Sequence, residues 1–219
     1  MTELEKIYKT LSKPSDKWQP YFEVYEKHIM PLKKRELTLV EVGVQEGGSL
    51  EMWSKYLGSK STIIGIDVDP KCSDLEYTQK NVEVIIGNQE DPKFWDAFLK
   101  ETPTIDIFID DGGHGMRQQI VTFEKVFPNM PVGSVYICED THTSYYPGYR
   151  GGVSRPGTFI EYAKSCIDAM HFDWTIKNNQ LLAYRAHLTK DLTNIIFYDS
   201  MVVFEKFGKR SMERVQPGV

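Results

Sequence analysis

The sequence predicts an α/β fold built on a doubly wound, mostly parallel sheet. Three observations predict it. Short runs rich in valine and isoleucine alternate with stretches of helical periodicity. The runs are almost continuously apolar, which is typical of strands covered on both faces, as in a parallel sheet. Near the end of the chain, two such runs follow each other almost without a gap, which predicts an antiparallel hairpin.

Five parallel strands are predicted before the hairpin, and each is a short apolar run. They cover residues 37–44, 61–68, 82–87, 105–110 and 132–140. The hairpin adds residues 194–200 and 201–207, so the predicted sheet has seven strands. A seven-stranded, mostly parallel sheet with a C-terminal antiparallel hairpin and helices on both faces is a Rossmann-like arrangement.

Helices are predicted between and after the parallel strands. They cover residues 49–58, 91–100, 117–127 and 157–170. In the first of them, Leu50, Trp53 and Leu57 share one face, and Gly58 is typical of the residue that follows a helix.

The first 35 residues are predicted to be a helical segment. Phe22, Tyr25 and Ile29 recur there at the spacing of one helix face. The length of 219 residues suits one domain with additions. We therefore predict a single domain, in which residues 1–35 pack on a core formed by residues 36–219.

Composition and charge restrict the cellular compartment and the classes of binding partner that are expected for the protein. The chain has 26 Lys and Arg residues against 31 Asp and Glu residues, a net charge of −5, whereas a nucleic-acid binder needs a basic face. No apolar run approaches the roughly 18 residues of a membrane span, and the first residues lack the apolar stretch of a signal peptide. Cys138 and Cys166 lie in apolar patterns typical of reduced core thiols. We therefore expect a cytoplasmic protein that binds neither nucleic acid nor membrane.

A glycine-rich loop, EVGVQEGGS, follows the first predicted strand and runs from Glu41 to Ser49. Its three glycines allow a sharp turn and the close approach of a ligand. Ligands of doubly wound folds bind at the carboxyl ends of the strands, where this loop is predicted to lie. It is not the dinucleotide fingerprint, because Gln45 stands where the second glycine should be, and no P-loop G-K-[ST] follows. The alternative is a turn that serves packing only.

Polar side chains follow the second and third predicted strands. Asp67 ends the second strand, 24 residues after Gly43, where an acidic residue can accept hydrogen bonds from both hydroxyls of a ribose. Asn88 and Gln89 follow the third strand along the same edge. With the glycine loop, Asp67 indicates a nucleoside cofactor. For Asn88 and Gln89, a polar turn before the next helix is an equally good interpretation.

Acidic residues follow the fourth and fifth predicted strands. IDDGGH places Asp110, Asp111 and His114 after the fourth strand, and ED places Glu139 and Asp140 after the fifth. Adjacent parallel strands lie about 5 Å apart, so these carboxylates are expected to converge. Close carboxylates repel one another, and a hard divalent cation such as Mg²⁺ is the simplest resolution. The alternative is that they cap helices or bind local backbone amides.

Two histidines are candidates for proton transfer. A histidine can act as a base near neutral pH, and His114 follows the predicted metal ligands in a glycine-flanked loop. His142, in EDTHTSYY, is the second candidate.

The loop EVGVQEGGS, Asp67, IDDGGH and the ED pair together resemble class I S-adenosylmethionine-dependent methyltransferases. More narrowly, they are similar to the metal-dependent sugar O-methyltransferases of macrolide biosynthesis, the mycinamicin type, and to the rhamnosyl O-methyltransferase and cephalosporin hydroxylase group. The similarity runs from about residue 15 to the terminal hairpin. The segment DKWQPY departs from it, because relatives often carry a histidine after the D-K pair. Lys17 and Tyr21 are therefore given no role.

The resemblance implies that S-adenosylmethionine is the methyl donor, that S-adenosylhomocysteine is the product, and that Mg²⁺ takes part. It implies that Asp111, Glu139 and Asp140 bind Mg²⁺ and that His114 takes a proton from a sugar or glycoside hydroxyl. The cofactor contacts that follow from the motifs and the resemblance are Glu41, Gly43, Val44, Ser49, Asp67, Asn88, Gln89 and Asp110.

The long irregular segment 141–157 is a candidate substrate-binding loop. It carries Tyr145, Tyr146 and Arg150 among glycines and prolines. Aromatic rings could stack on a sugar face, and an arginine could hold a carboxylate or phosphate group. The alternative is an ordinary surface loop.

Two other functions stay open. One is methylation of a small phenolic or catechol-like acceptor by the same metal chemistry, although a loop rich in tyrosine and arginine favours sugars. The other is a cofactor-binding protein without methyl transfer, which has no need of the acidic cluster or of His114. Relatives of this kind commonly assemble, so a homo-oligomer is expected.

Overall fold

A single seven-stranded sheet organises the protein. The computed structural model describes residues 1–33, 35–102, 104–174, 180–208, 214 and 216–217. The predicted core runs from residue 36 to residue 219, and most of its last eleven residues lie outside the described ones. Within them the strands lie in the order β3-β2-β1-β4-β5-β7-β6. They are β1 (Thr38–Val42), β2 (Thr62–Asp67), β3 (Val82–Ile86), β4 (Ile107–Asp110), β5 (Ser134–Cys138), β6 (Asn194–Tyr198) and β7 (Met201–Lys206). The predicted fold class is confirmed.

The C-terminal hairpin enters the sheet in a particular way. Strands β1 to β5 pair in parallel, whereas β7 pairs antiparallel with both β5 and β6. The predicted hairpin is confirmed and lies at one edge of the sheet, with β7 next to β5 and β6 as the outermost strand. The burial of the two strands explains this order, because β7 is buried almost throughout and β6 alternates between half-buried and exposed positions.

Helices cover both faces of the sheet. They are α1 (Glu3–Tyr8), α2 (Tyr21–Ile29), α3 (Gly48–Leu57), α4 (Pro92–Glu101), α5 (Met116–Val126), α6 (Phe159–Met170) and α7 (Gln180–Leu188). The four predicted helices correspond to α3, α4, α5 and α6. Helix α7 was not predicted, because its apolar residues do not gather on one face. None of the helices in the described part of the chain has the length and apolar character that crossing a bilayer requires.

The N-terminal segment is only partly helical, contrary to the prediction. Residues 9–20, between α1 and α2, form no regular helix. Pro14 and Pro20 lie in this stretch, and proline both lacks a donor N–H and disfavours helix in the residue before it. Helices α1 and α2 nevertheless pack on α3, where the rings of Tyr25 and Trp53 meet edge to face with centroids 5.1 Å apart. Residues 9–20 reach β1 near its end, where the ammonium of Lys17 lies 3.2 Å from Glu41.

Candidate active site at the carboxyl ends of the strands

Two neighbouring clefts open where the parallel strands end. The first, which we call the glycine-loop cleft, has a volume of about 380 Å³ and lies beside the ends of β1, β2, β3 and β4. The second, the acidic cleft, has a volume of about 300 Å³ and lies beside the ends of β4 and β5. Asp111 lines both clefts. The strand order reverses between β1 and β4, and such a switch point is where doubly wound folds bind ligands.

Gly43 allows the ends of β1 and β4 to meet closely. Its φ is +95°, and a Cβ atom at this position would collide with the backbone carbonyl of Asp111. The N–H of Asp111 donates to the carbonyl of Val42 at 3.0 Å, which continues the pairing of β1 and β4 beyond the strands. The predicted glycine turn is therefore required by backbone packing as well as open to a ligand.

Asp67 holds the glycine loop in place while lining the glycine-loop cleft. Its carboxylate accepts hydrogen bonds from the backbone N–H groups of Val44 at 2.8 Å, Gln45 at 3.1 Å and Asp69 at 2.9 Å. Burial raises the pKa of Asp67, but these donors outweigh it and hold the pKa below its usual value. Asp67 is therefore a carboxylate at neutral pH, as a ribose-binding role requires.

Gln89 lies in the glycine-loop cleft and is fixed from behind by Asp110. The side-chain N–H of Gln89 donates to Asp110 at 3.0 Å, and its carbonyl accepts from the N–H of Gly113 at 2.8 Å. Asp110 is fully buried, accepts a second hydrogen bond from Tyr136, and lies outside both clefts, although it was predicted to contact the cofactor. Burial raises the pKa of Asp110. Asn88 lines the cleft, and its side chain also accepts from the N–H of Glu90 in a polar turn.

Glu41 and Ser49 are buried beneath the glycine loop. Ser49 donates its hydroxyl hydrogen to Glu41 at 2.6 Å, and the indole N–H of Trp53 donates to the same carboxylate oxygen at 3.1 Å. Glu41 is fully buried, and this burial raises its pKa. Neither residue lines the glycine-loop cleft, although both were predicted to contact the cofactor. The structure instead joins Glu41 to the acidic cleft.

That connection runs through Lys17, a residue that the sequence analysis left without a role. Its ammonium lies 3.2 Å from Glu41, 2.5 Å from Asp111 and 3.1 Å from Glu139. We call these three carboxylates the inner acidic group, and their oxygens lie within 4.8 Å of one another. Burial alone would lower the pKa of Lys17, but the carboxylates raise it well above its usual range. The side chain of Lys17 is only 2% exposed.

A second cluster, the outer acidic group, consists of Asp111, His114 and Asp140. One ligand atom from each lies within 4.8 Å of the other two, and Nε2 of His114 is 3.4 Å from Oδ2 of Asp140. His114 and Asp140 both have positive φ values, +54° and +51°, which is a strained backbone for residues other than glycine. Such strain is concentrated at functional sites. The predicted metal ligands are thus divided, because Asp111 belongs to both groups, Glu139 to the inner one and Asp140 to the outer one.

The second histidine candidate lies at the rim of the acidic cleft. His142 contacts the hydroxyl of Ser200 through Nδ1, which is also 3.9 Å from Oδ1 of Asp140. In His114, by contrast, the buried Nδ1 has no hydrogen-bond partner among the described residues. Of the two candidate histidines, His114 is therefore the one that belongs to the outer acidic group, and its Nδ1 is unpaired among the described residues.

The structure separates the predicted substrate residues of segment 141–157. Tyr146 lies beside His142, with ring centroids 5.2 Å apart, and lines a third cleft of about 290 Å³ together with Trp18. We call this the aromatic cleft. Arg150 lines a different cleft of about 710 Å³, over helix α5. Tyr145 is exposed and lies outside these clefts. Tyr146 is thus the member of the three that adjoins the acidic cleft.

The sheet order and the clefts at the strand ends define the fold of class I S-adenosylmethionine-dependent methyltransferases. The chain matches no protein-family model. It is 27% identical to MycE, a methyltransferase from the mycinamycin biosynthetic pathway solved in complex with Mg and SAH, with a TM-score of 0.79 over 94% of this chain and 54% of that one. The resemblance predicted from the motifs is confirmed.

Two curated relatives from Streptomyces olivaceus extend the comparison. The chain is 32% identical over 167 residues to 8-demethyl-8-alpha-L-rhamnosyl tetracenomycin-C 2'-O-methyltransferase. The matched region covers 72% of this chain and 43% of the relative. The chain is also 30% identical over 211 residues to 8-demethyl-8-(2-methoxy-alpha-L-rhamnosyl)-tetracenomycin-C 3'-O-methyltransferase. This matched region covers 90% of the chain and 52% of the relative. The chain therefore spans about half the length of the relatives it matches.

Proposed function

We propose that the protein is an S-adenosylmethionine- and Mg²⁺-dependent O-methyltransferase that acts on a hydroxyl of a sugar or glycoside. The observation that carries the proposal is the outer acidic group, in which Asp111, His114 and Asp140 converge beside the glycine-loop cleft. The relatives are named as O-methyltransferases of rhamnosyl and other sugar-bearing natural products, which supports the same reaction class.

The glycine-loop cleft would hold the cofactor. Asp67 is ionised at its floor, and Asn88 and Gln89 lie along the same edge, where a nucleoside would meet them. Methyl transfer from a sulfonium is an in-line displacement, so alignment of the donor with the attacking oxygen supplies much of the rate. Asp110 acts indirectly in this scheme, because it holds the amide of Gln89.

The donor set of the acidic cleft fits a hard divalent cation. Asp111, Glu139 and Asp140 present carboxylate oxygens, which Mg²⁺ prefers over nitrogen and sulfur ligands. When bound, such an ion lowers the pKa of a coordinated hydroxyl and orients it. These three residues would hold the ion, and Tyr21 orients Asp140 through a hydrogen bond of 2.7 Å.

His114 is the proposed general base. Its Nε2 faces Asp140 across 3.4 Å, so a hydroxyl held at Asp140 would lie within reach of the ring. His114 is also 19% exposed, which leaves its proton a route to solvent after the transfer. His142 stands further out and is assigned to the rim of the acceptor site.

The acceptor would lie across the acidic cleft and the aromatic cleft. The two clefts are continuous, because Trp18, Tyr21 and His142 line both. Trp18 and Tyr146 are 58% and 52% exposed, which is unusual for large aromatic side chains and suits stacking against a sugar face. Arg150 is assigned to a different part of the acceptor, because it lines a separate cleft.

The second candidate acceptor is a small phenolic or catechol-like compound. The same aromatic cleft favours it, because Trp18 and Tyr146 could clamp an aromatic ring as well as a sugar.

The predicted single domain is supported by the packing of Tyr25 on Trp53, which joins the N-terminal segment to the core. Homo-oligomer formation remains a prediction, and light scattering after gel filtration would measure it.

Calorimetry and product release test the proposed function. S-adenosylmethionine is titrated with Mg²⁺ and then with EDTA, and S-adenosylhomocysteine release is followed with a panel of glycosides and a panel of catechols. Metal-dependent release with glycosides is the expected result. Release with catechols alone would move the assignment to the second acceptor. Absence of cofactor binding under both conditions would leave a protein that keeps this fold for another purpose.

A further inference from the structure

Lys17 lines the acidic cleft, but the proposed reaction assigns it no role. We infer that Lys17 is a resident cation, which neutralises the inner acidic group in the absence of metal and competes with a divalent cation for Asp111 and Glu139. The inference rests on the metal site of the proposed function. It assigns to Lys17 a positioning role, because its ammonium sets which carboxylate oxygens are open to an ion.

Charge balance requires a cation at this position. Glu41 is fully buried and Glu139 is 1% exposed, whereas the side chain of Asp111 is 20% exposed and lines the cleft. Buried carboxylates are tolerated only when they are paired and hydrogen-bonded. The ammonium of Lys17 contacts all three, so it supplies one positive charge to three acidic groups.

The oxygens that Lys17 occupies are ones that a metal would use. Lys17 takes Oε2 of Glu139 at 3.1 Å, and the hydroxyl of Tyr25 donates to the other oxygen, Oε1, at 2.5 Å. Lys17 also takes Oδ2 of Asp111. A divalent ion that coordinates Glu139 must therefore displace the ammonium, share Oε2 with it, or share Oε1 with the hydroxyl of Tyr25. Two like charges about 4 Å apart in a partly dehydrated cleft repel strongly, so displacement is favoured.

The segment that carries Lys17 is anchored independently of it. The N–H of Gly48 donates to the carbonyl of Pro14 at 3.0 Å, and the N–H of Lys13 donates to Glu51 at 3.0 Å. Residues 12–14 are therefore fixed on helix α3, and only the end of the segment depends on Lys17. Trp18 follows directly and lines both the acidic and the aromatic cleft, so a shift of Lys17 reaches the proposed acceptor site.

The decisive experiment measures Mn²⁺ binding by electron paramagnetic resonance, without cofactor or acceptor, in wild type and Lys17→Met. Removing the competing charge is expected to tighten metal binding by about tenfold or more, and to lower the Tm in EDTA while increasing the Tm gain on metal addition. Lys17→Arg keeps the charge and is expected to restore the weaker binding. Lys13→Met is the matched control, because its ammonium lies over the ring of Tyr77.

Each outcome of this experiment decides the inference. Unchanged or weaker metal binding in Lys17→Met overturns it, even if the variant is less stable in EDTA. Metal binding in Lys17→Met but not in wild type supports the inference and contradicts the metal dependence of the proposed function. No binding in either protein overturns both.

A measurement on the wild-type protein keeps the test independent of the folding of Lys17→Met. An amine-reactive reagent labels lysine side chains, and mass spectrometry measures the labelling at each site. Lys17 is expected to be protected in EDTA and to react several-fold faster when Mg²⁺ is added, with Lys13 as the internal reference. Equal protection of Lys17 in the two conditions overturns the competition.

Discussion

The hydroxyl of Tyr21 donates a hydrogen bond of 2.7 Å to Oδ1 of Asp140 and accepts one from the backbone N–H of the same residue at 3.2 Å. Burial, reinforced by the charge of Asp140, raises the pKa of Tyr21, so the hydroxyl remains a donor. Tyr21 is the first residue of α2, and Asp140 follows β5. The N-terminal segment therefore fixes the orientation of one proposed metal ligand, although the two residues are far apart in the chain.

Tyr21→Phe is expected to weaken Mg²⁺ binding by about tenfold, because side chains that orient metal ligands typically contribute 10- to 100-fold to affinity. Calorimetric titration with Mg²⁺ measures the effect. Tyr56→Phe is the matched control, since the Tyr56 hydroxyl is buried without a hydrogen-bond partner among the described residues. Equal losses in the two variants would mean that Tyr21 contributes packing rather than orientation of Asp140.

His114→Ala is expected to keep binding S-adenosylmethionine and to lose about 10²- to 10⁴-fold in turnover, which is the usual contribution of a general base. Calorimetry measures the binding, and S-adenosylhomocysteine release measures the turnover. His171→Ala serves as the control, because His171 is exposed and follows α6, away from the acidic cleft. Full activity in His114→Ala would remove His114 from the mechanism.

Asp67→Asn is expected to weaken cofactor binding by about tenfold or more. The substitution removes the negative charge that three backbone donors stabilise, and hydrogen bonds to a charged group contribute about 1.5–3 kcal/mol each. Calorimetric titration with S-adenosylmethionine measures the change. Asp69→Asn is the control, because Asp69 caps the next turn and lines neither cleft. An unchanged affinity in Asp67→Asn would exclude Asp67 from the cofactor site.

Strand positions were predictable because strands that are buried on both faces occur in the sequence as short, almost continuously apolar runs. The run 37–44 contains β1 (Thr38–Val42), and the hairpin runs contain β6 and β7. Helix α7 could not be predicted from a local pattern, because its apolar residues are scattered around the helix. Which strand of the hairpin pairs with β5 depends on a partner distant in the sequence, so the local pattern made no prediction about it.

The candidate site was predictable only where its residues end a strand. Asp111, His114, Glu139 and Asp140 follow a strand and line one cleft, although the structure divides them between the inner and outer acidic groups. Lys17 does not follow a strand, and its partners Asp111 and Glu139 lie 94 and 122 residues away. Asp110 and Asp111 show a further limit, because adjacent residues at a strand end face opposite sides of the sheet. One of them enters the acidic cleft and the other is buried behind Gln89.

Glu51 of α3 anchors the N-terminal segment. Its carboxylate accepts from the N–H groups of Ser12 and Lys13, both at 3.0 Å, and pairs with Lys55 at 2.7 Å. Burial raises the pKa of Glu51, but Lys55 and the backbone donors outweigh it and lower the pKa from 4.5 to about 2. A carboxyl whose pKa is lowered on folding stabilises the protein above its unfolded pKa. The contribution is therefore complete above pH 4.5 and is lost as the pH falls toward 2.

Glu51→Gln is expected to lower the free energy of unfolding by about 2 kcal/mol at pH 7, because it weakens hydrogen bonds to a charged acceptor. The difference from wild type is expected to shrink steadily between pH 4.5 and pH 3, where the wild-type carboxylate begins to protonate preferentially in the unfolded chain. Urea unfolding followed by circular dichroism measures both. Glu46→Gln, which changes an exposed carboxyl in the neighbouring glycine loop, is the control for the substitution itself. A constant difference across this pH range would mean that Glu51 acts through packing rather than through its charge.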